Sequence, residues 1–516
     1  MTTIENLRDK FNYRMVDLKL VNIYSDKILK YHKYDILSGY YISLIKHDEL
    51  LYVFTESSTA YKIDLNEVSK TSLSDLFYMV RPRKIIFNYS DLSKHLINFE
   101  KHKGLYDLQL VAKIILGFSA SSIDELFSLF ANKHLEEGIE SDLFLLFDIK
   151  DIFNEFLYEN KLFDLVNFEH QILILVHNMM AKGLPYNPDR FSKFVVDIEK
   201  EYSRNKLFFE KSYNSNYDDV ESIFLANSNL LSINEDILLD SHDTALLEAV
   251  KTYRLKSALN NFNTAIKNDK RVFINYNTFN EYNNIDNIKL ENEFAFLEDD
   301  KKVFVRGKLN NLFWNIFIIC SNIDYLNDFT SKENLFLFLS KKIFNKDNTY
   351  NKVLTEAFLL GLLQGYVQPD DMISFLLYEF KISITEEKVL EIEKLFVKNV
   401  PDIIYNIENF TKERYLGRYS FSGNLKLFNY IELIKADIIK KTLVNIANNI
   451  INFNSTNKYL IELIHYQDDT FIIESDPECS NTAFDILSRV LPIEYEKFCR
   501  NNTSCSITSN DCYIIL

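Results

Sequence analysis

Short apolar runs separated by polar residues open the chain. Tyr40–Ile45 and Leu50–Phe54 predict a pair of strands, and Lys84–Asn88 (KIIFN) predicts another buried strand. Helical periodicity follows in Asp107–Leu116 and Ser122–Phe130, where Ser122 is placed to cap. Residues 1–165 therefore read as an α/β unit. Beyond it the pattern turns mainly helical. Phe168–Met180 predicts an apolar helix stopped by Gly183 and Pro185, and Phe191–Tyr213 an amphipathic one. Asn214–Ser241 reads as loops, Thr244–Ala265 as a long helix, and Lys267–Lys302 as a polar stretch with room for short strands. Leu312–Cys320 reads as a strand; Tyr350–Gly365, Thr385–Glu413 and Ile431–Phe453 read as helices. Leu460–His465 and Thr470–Glu474 predict two strands around the turn Asp468–Asp469, and Asn481–Phe498 a last helix.

Composition narrows the class. Of 516 residues 47% are hydrophobic and 26% charged, a globular balance that argues against long disorder. Only 10 glycines stand beside 42 Phe and 31 Tyr, the bias expected of an AT-rich genome. No apolar run is long enough to span a bilayer, and the first residues lack the apolar core of a secretory signal. The five cysteines form no C-x-x-C pair, so reduced thiols in a cytosol-like compartment are expected. The net charge of −16 disfavours a non-specific coat on nucleic acid and leaves room for a local basic cleft. Phosphate-loop, dinucleotide-binding, serine-hydrolase and zinc-protease motifs are absent.

Several segments, taken in order, resemble family A DNA polymerases of the bacterial polymerase I type. Gly104–Leu116 and Ser122–Phe130 resemble helices of the proofreading exonuclease domain. FEHQILILVHNMMAKGLPYNPDRF (Phe168–Phe191) is similar to the passage from exonuclease to thumb, and His242–Phe262 to the passage from thumb to palm. Val305–Asn311 (VRGKLNN) resembles "T-G-R-L-S-S". Gly417–Leu443 resembles "G-R-R…N-x-x-I-Q-G-T-A-A-D-I-x-K-x-A", and Ile461–Ile473 resembles "L-x-x-Q-V-H-D-E-x-x-F". The resemblance implies a multidomain α/β chain with an α+β palm. Its parts would be an exonuclease-like domain over 1–165, a thumb-like region over 166–266, the first part of the palm over 267–345, fingers-like helices over 346–414, and the rest of the palm over 415–516. Gly183, Gly307, Gly365 and Gly417 fall where that family's turns use glycine.

The implied chemistry is poorly provided for. Nucleotide transfer uses two divalent metals about 3.5–4 Å apart. In the family one Asp follows a palm strand and another sits in the "H-D-E" turn. Gln467–Asp468–Asp469 takes the turn's place, so Asp468, with Asp469 beside it, is the candidate metal ligand. The first Asp falls on Ser321, or on Asp324 if the alignment slides by three residues. On the fingers helix the triphosphate-binding and stacking positions read Lys352, Glu356, Leu360 and Gln364, which leaves Lys352 as the candidate nucleotide contact and puts a repulsive carboxylate where a lysine is expected. That helix is read more simply as a packing helix. The proofreading site lacks its D-x-E pair; Asp91 lies next to the formal position Leu92, Asp107 matches an Asp of the fold, and the last motif falls on Asp142 and Leu146. Lone His465 is read as a strand residue of core or surface.

The expectation is a degenerate polymerase, inactive as polymerase and as 3′–5′ exonuclease, that binds DNA, protein or both in a replication or other nucleic-acid complex, with no cofactor required. Arg254, Lys256, Arg306, Lys308, Arg414 and Arg418 are the DNA-binding candidates by resemblance. One alternative is a diverged active polymerase using Asp324 and Asp468 with Mg²⁺; another is a structural protein with no nucleic acid in its function. No membrane partner is expected.

Overall fold

The computed structural model describes residues 19–117 apart from 57–58, 139–185, 302–326, 332–467 apart from 347, 381, 413, 417 and 420–424, 469–502 and 512–515. It also describes 266–267, 271–272 and single positions within 122–128 and 193–207. Asp468, Arg254, Lys256, Gly417 and the segments read at 214–241 and 244–265 lie outside the described residues.

The chain forms two compact units. The first comprises Met1–Lys182 with Asn277–Glu281 and Thr411–Leu425, and the second comprises Gly183–Tyr276, Tyr282–Phe410 and Lys426–Leu516. The helix Phe163–Lys182, read as the start of the thumb-like region, thus belongs to the first unit.

The first unit is built on a six-stranded sheet. Its strands are β1 (Lys19–Ile23), β2 (Tyr41–His47), β3 (Leu50–Thr55), β4 (Thr59–Asp64), β5 (Arg83–Ile86) and β6 (Leu105–Asp107), in the order β1-β4-β3-β2-β5-β6. β2 and β3 pair antiparallel, as the paired apolar runs predict, β4 extends them into a meander, and β5 and β6 continue parallel to β2. Asp48, with φ of 51°, supplies the left-handed residue of the β2–β3 turn. Parallel β5 and β6 are reached through short helical crossovers, and their residues are buried on both faces. The helix Leu108–Leu116 begins at Asp107, whose carboxylate accepts from the Leu110 amide at 3.0 Å, and ends on left-handed Gly117.

The second unit holds a four-stranded antiparallel sheet. With β7 (Leu184–Pro185), β8 (Ile266–Lys267) and β9 (Arg271–Val272) forming a separate small sheet, its strands are β10 (Val303–Leu309), β13 (Ile461–Gln467), β14 (Thr470–Ser475) and β15 (Cys512–Ile515). The order is β13-β14-β10-β15. β11 (Arg414–Tyr415) and β12 (Arg418–Tyr419) form a short hairpin within the first unit.

Period-2 alternation divides β10 cleanly. Val305, Gly307 and Leu309 are buried, while Phe304, Arg306 and Lys308 face the other side. The helix Ser480–Asn502 packs on the buried face, and at Gly307 it comes so close that an added Cβ would lie 2.7 Å from Leu491 Cδ1 and 3.2 Å from Leu487 Cδ1. Gly307 is therefore a mid-strand glycine required by a helix crossing, not the turn glycine expected from sequence. Gly307→Val is expected to destabilise the protein by about 1–3 kcal/mol in urea unfolding. An unchanged midpoint would mean that the two leucines give way freely.

The largest departure from expectation is Leu312–Cys320. It is an α-helix, Leu312–Ser321, rather than a strand. An apolar run of this kind cannot be assigned by periodicity, because a helix buried nearly all round has no polar face to reveal its period. Aromatic packing holds it: Trp314 meets Phe336 edge-on at 4.7 Å and Phe313 lies 5.6 Å from Phe428. The predicted helix Thr385–Glu413 is likewise divided, into Glu386–Asn399 and Pro401–Asn409, because Pro401 lacks the amide that would continue the first. Leu427–Asn454 runs unbroken, as its lack of Gly and Pro predicts.

Candidate functional site

The acidic turn between β13 and β14 lies at one end of the four-stranded sheet. β14 pairs with β10 in a register that sets Lys308 opposite Thr470, Arg306 opposite Ile472 and Phe304 opposite Glu474. Directly opposed residues of an antiparallel pair share a face. The face away from the packed helix therefore carries Arg306, Lys308, Thr470, Ile472 and Glu474. On β13, beyond an irregularity between Leu463 and His465, His465 pairs with Ile472 and is buried, as expected for a strand histidine of the core.

The end of β10 is tied to the turn twice. The Leu309 amide donates to the Asp469 carbonyl at 2.9 Å. The Lys308 ammonium sits 3.4 Å from Asp469 Oδ1, and the Thr470 hydroxyl donates to the same oxygen at 3.4 Å. The Lys308 side chain is 34% exposed and that of Asp469 17%. The strand residue brought to the acidic turn is thus a lysine. By sequence Lys308 is a DNA-contact candidate only. The alternation in VRGKL puts Arg306 and Lys308 on one face, but the sequence pattern places the strand at Leu312–Cys320, nine residues later.

Asp324 is placed differently from its sequence reading. It does not follow a strand. It opens a short 3₁₀ turn, Asp324–Leu326, beyond the helix Leu312–Ser321. That helix starts at Asn311, two residues after β10, and ten helical residues carry the chain about 15 Å along its axis. Asp324 is exposed. Ser321, the other alignment, is buried and donates to the Ile318 carbonyl at 2.9 Å within its own helix.

Lys352 lies in the first turn of the helix Thr349–Gln364 and is half-buried. Glu356 and Leu360 are half-buried on the same stripe, and Gln364 is exposed; the other side of the helix, with Leu354, Phe358 and Leu359, is buried. Phe358 packs on Phe396 at 4.9 Å, and Gly365 closes the helix with φ of 96°. The helix packs by one face and presents a mixed-charge stripe on the other. On the β11–β12 hairpin Arg414 pairs with Tyr419 and Arg418 with Tyr415.

The acid positions of the first unit form no metal cluster. Leu92 is fully buried in the core and Asp91 beside it is exposed. Leu146 is buried too. Asp107 is buried, and its carboxylate accepts from the Tyr89 amide at 2.7 Å as well as from Leu110, so it serves two helix starts. Burial pushes its pKa up to about 7. Its amide donates to His170 Nε2 at 2.7 Å, and burial lowers His170 to about 4. Tyr89 hydroxyl and His102 Nδ1 lie 2.5 Å apart; His102, also lowered to about 4 by burial, has Nε2 at 3.0 Å from the Ile97 carbonyl. Neutral histidines and capped backbone make this cluster structural. Among the described residues, no group of three or more His, Cys, Asp or Glu is arranged to hold a metal ion, and no helix is long and apolar enough to cross a membrane.

No protein-family model matches the sequence, and no curated protein matches it. Among solved structures, the POL domain of Pol1 from M. smegmatis, in complex with DNA primer-template and dNTP, matches over 96% of this chain and 98% of that chain. The TM-score is 0.65 and the identity 12%. The likeness shows the fold: a mixed α/β chain that follows a family A polymerase domain over nearly its whole length.

Proposed function

We propose, on the premise of that fold, that the chain is a family A polymerase-like protein that no longer transfers nucleotides. It serves as a binding component of a replication or other nucleic-acid complex, with DNA and protein as partners. The observation that carries this reading is Lys308. Two divalent ions need carboxylates converging from the strand end and the turn. The strand end supplies an ammonium that already pairs with Asp469, and a cation there repels Mg²⁺. Lys308 and Asp469 do not fit a metal pair. Glu356 on the fingers-like helix and Leu92 in the first unit support the same conclusion for nucleotide binding and for proofreading. The first unit is then an exonuclease-like domain kept as structure. Arg306 and Lys308, half-buried on β10, offer contacts to a phosphate backbone.

The test combines primer extension with binding. Labelled primer-template is expected to bind at about 50 mM salt and to weaken steeply as salt rises. No incorporation is expected with Mg²⁺ or Mn²⁺, and no 3′ trimming. Incorporation that disappears in Asp468→Ala would overturn the proposal in favour of an active polymerase. Absence of any DNA binding at low salt would remove DNA from the partners and leave a protein-only role.

A further inference from the structure

The helix Asp26–Ile36 divides sharply around its axis. Leu29 and Ile36 are buried against the first unit's core. At 100° per residue, Lys27, Lys30, Tyr31 and Tyr34 share an outward arc about 100° wide. All four are exposed; Tyr31 and Tyr34 are 78% and 85% exposed, and Tyr24, just before the helix, 64%. The helix is firmly seated. Ser25 caps it, the Asp26 carboxylate accepts from the Ser69 amide at 2.8 Å, and Lys33 pairs with Asp75 at 3.0 Å on another side. The Tyr31 ring stands edge-on to His32 at 4.9 Å.

We infer that this ridge binds single-stranded nucleic acid. Within the arc stand aromatic rings and ammonium groups, with no aliphatic side chain between them, and the exposed Asp26 and Asp35 carboxylates border it on either side. A dry protein interface is poor in lysine and needs contiguous apolar surface. A single strand needs what this arc offers: rings on which bases stack, interleaved with cations for the phosphates. Two tyrosines three residues apart on a helix are neighbours on its surface, so successive bases can be served by adjacent rings.

The inference stands on the first unit alone and does not depend on the polymerase-like reading. The test measures anisotropy of a labelled 12-nucleotide oligothymidylate with the full chain and with Tyr31→Ala/Tyr34→Ala. The pair of substitutions is expected to weaken binding at least about tenfold, since each stacked base contributes about 1–3 kcal/mol. Lys27→Ala/Lys30→Ala is expected to lower the salt slope by about 1.4. Primer-template binding should stay within about twofold in both variants, and unchanged melting curves would show that the exposed substitutions leave the fold intact. Wild-type protein that fails to bind the oligonucleotide, or equal affinity in the tyrosine variant, overturns the inference. If primer-template binding persists in that case, the function proposed above is untouched.

Discussion

Lys308→Asp is expected to create a divalent-cation site at the end of β10. The substitution places a second carboxylate at the end of β10, beside Asp469 and next to the turn. Without metal, the variant loses an ion pair and gains like-charge repulsion, each about 1 kcal/mol or less at this partly exposed position. With Mn²⁺ the sign reverses. A site with an affinity of about 100 µM would stabilise the folded variant by about 2.7 kcal/mol at 10 mM Mn²⁺. The wild type should not respond, because the Lys308 ammonium already occupies the carboxylate's company. Urea unfolding with and without Mn²⁺, together with paramagnetic titration of bound Mn²⁺, reads both effects. Equal Mn²⁺ binding by wild type, lost in Asp469→Asn, would sink the idea that the lysine closes the site. Polymerase activity is not expected to return with the single change, since Glu356 and Leu360 still stand on the fingers-like helix.

The second large effect is expected at Arg271. Its guanidinium donates from Nη1 to the Gly183 carbonyl at 3.0 Å and from Nη2 to the Glu474 carboxylate, joining the small β7-β9-β8 sheet to β14. The Glu474 side chain is only 6% exposed, and β13 sets Glu462 directly opposite it. Arg271→Met therefore leaves a buried carboxylate beside a like charge without its guanidinium, at an expected cost of about 3–5 kcal/mol. Adding Glu474→Met should recover most of that loss, because the buried charge then disappears with its partner. Urea unfolding of the single and double variants decides. A single-variant loss below about 1 kcal/mol would show that Glu474 is served by Lys302 or by water instead.

Both sites depend on contacts between segments far apart in sequence, and that is where sequence reading failed. In the first unit β4, with its alternating polar residues, is not legible, whereas the β2–β3 pair is, because its strands are adjacent and bounded by turn residues. The hairpin Ile461–Ser475 was legible for the same reason, and so was the long helix Leu427–Asn454. Leu312–Ser321 was not, because a fully buried helix and a buried strand look alike as a run of apolar residues. That single ambiguity displaces the expected strand from β10 and puts its expected carboxylate at Ser321 or Asp324. Arg271 carries no local signal, since its stretch reads only as polar with room for short strands. The ridge of the helix Asp26–Ile36 was passed over too, although its Lys-Tyr spacing is local and could have been read.

The paired strands around the acidic turn, the long helix Leu427–Asn454 and the polymerase-like order of segments were determined by the sequence itself. These follow from local periods and turn chemistry, each set by residues within a few positions of one another. Which strand lies beside the acidic turn, and that it delivers Lys308 there, was decided only by the tertiary structure. Strand register is fixed by the partner's hydrogen bonds and by the face that must be buried against Ser480–Asn502, and both come from a part of the chain more than a hundred residues away.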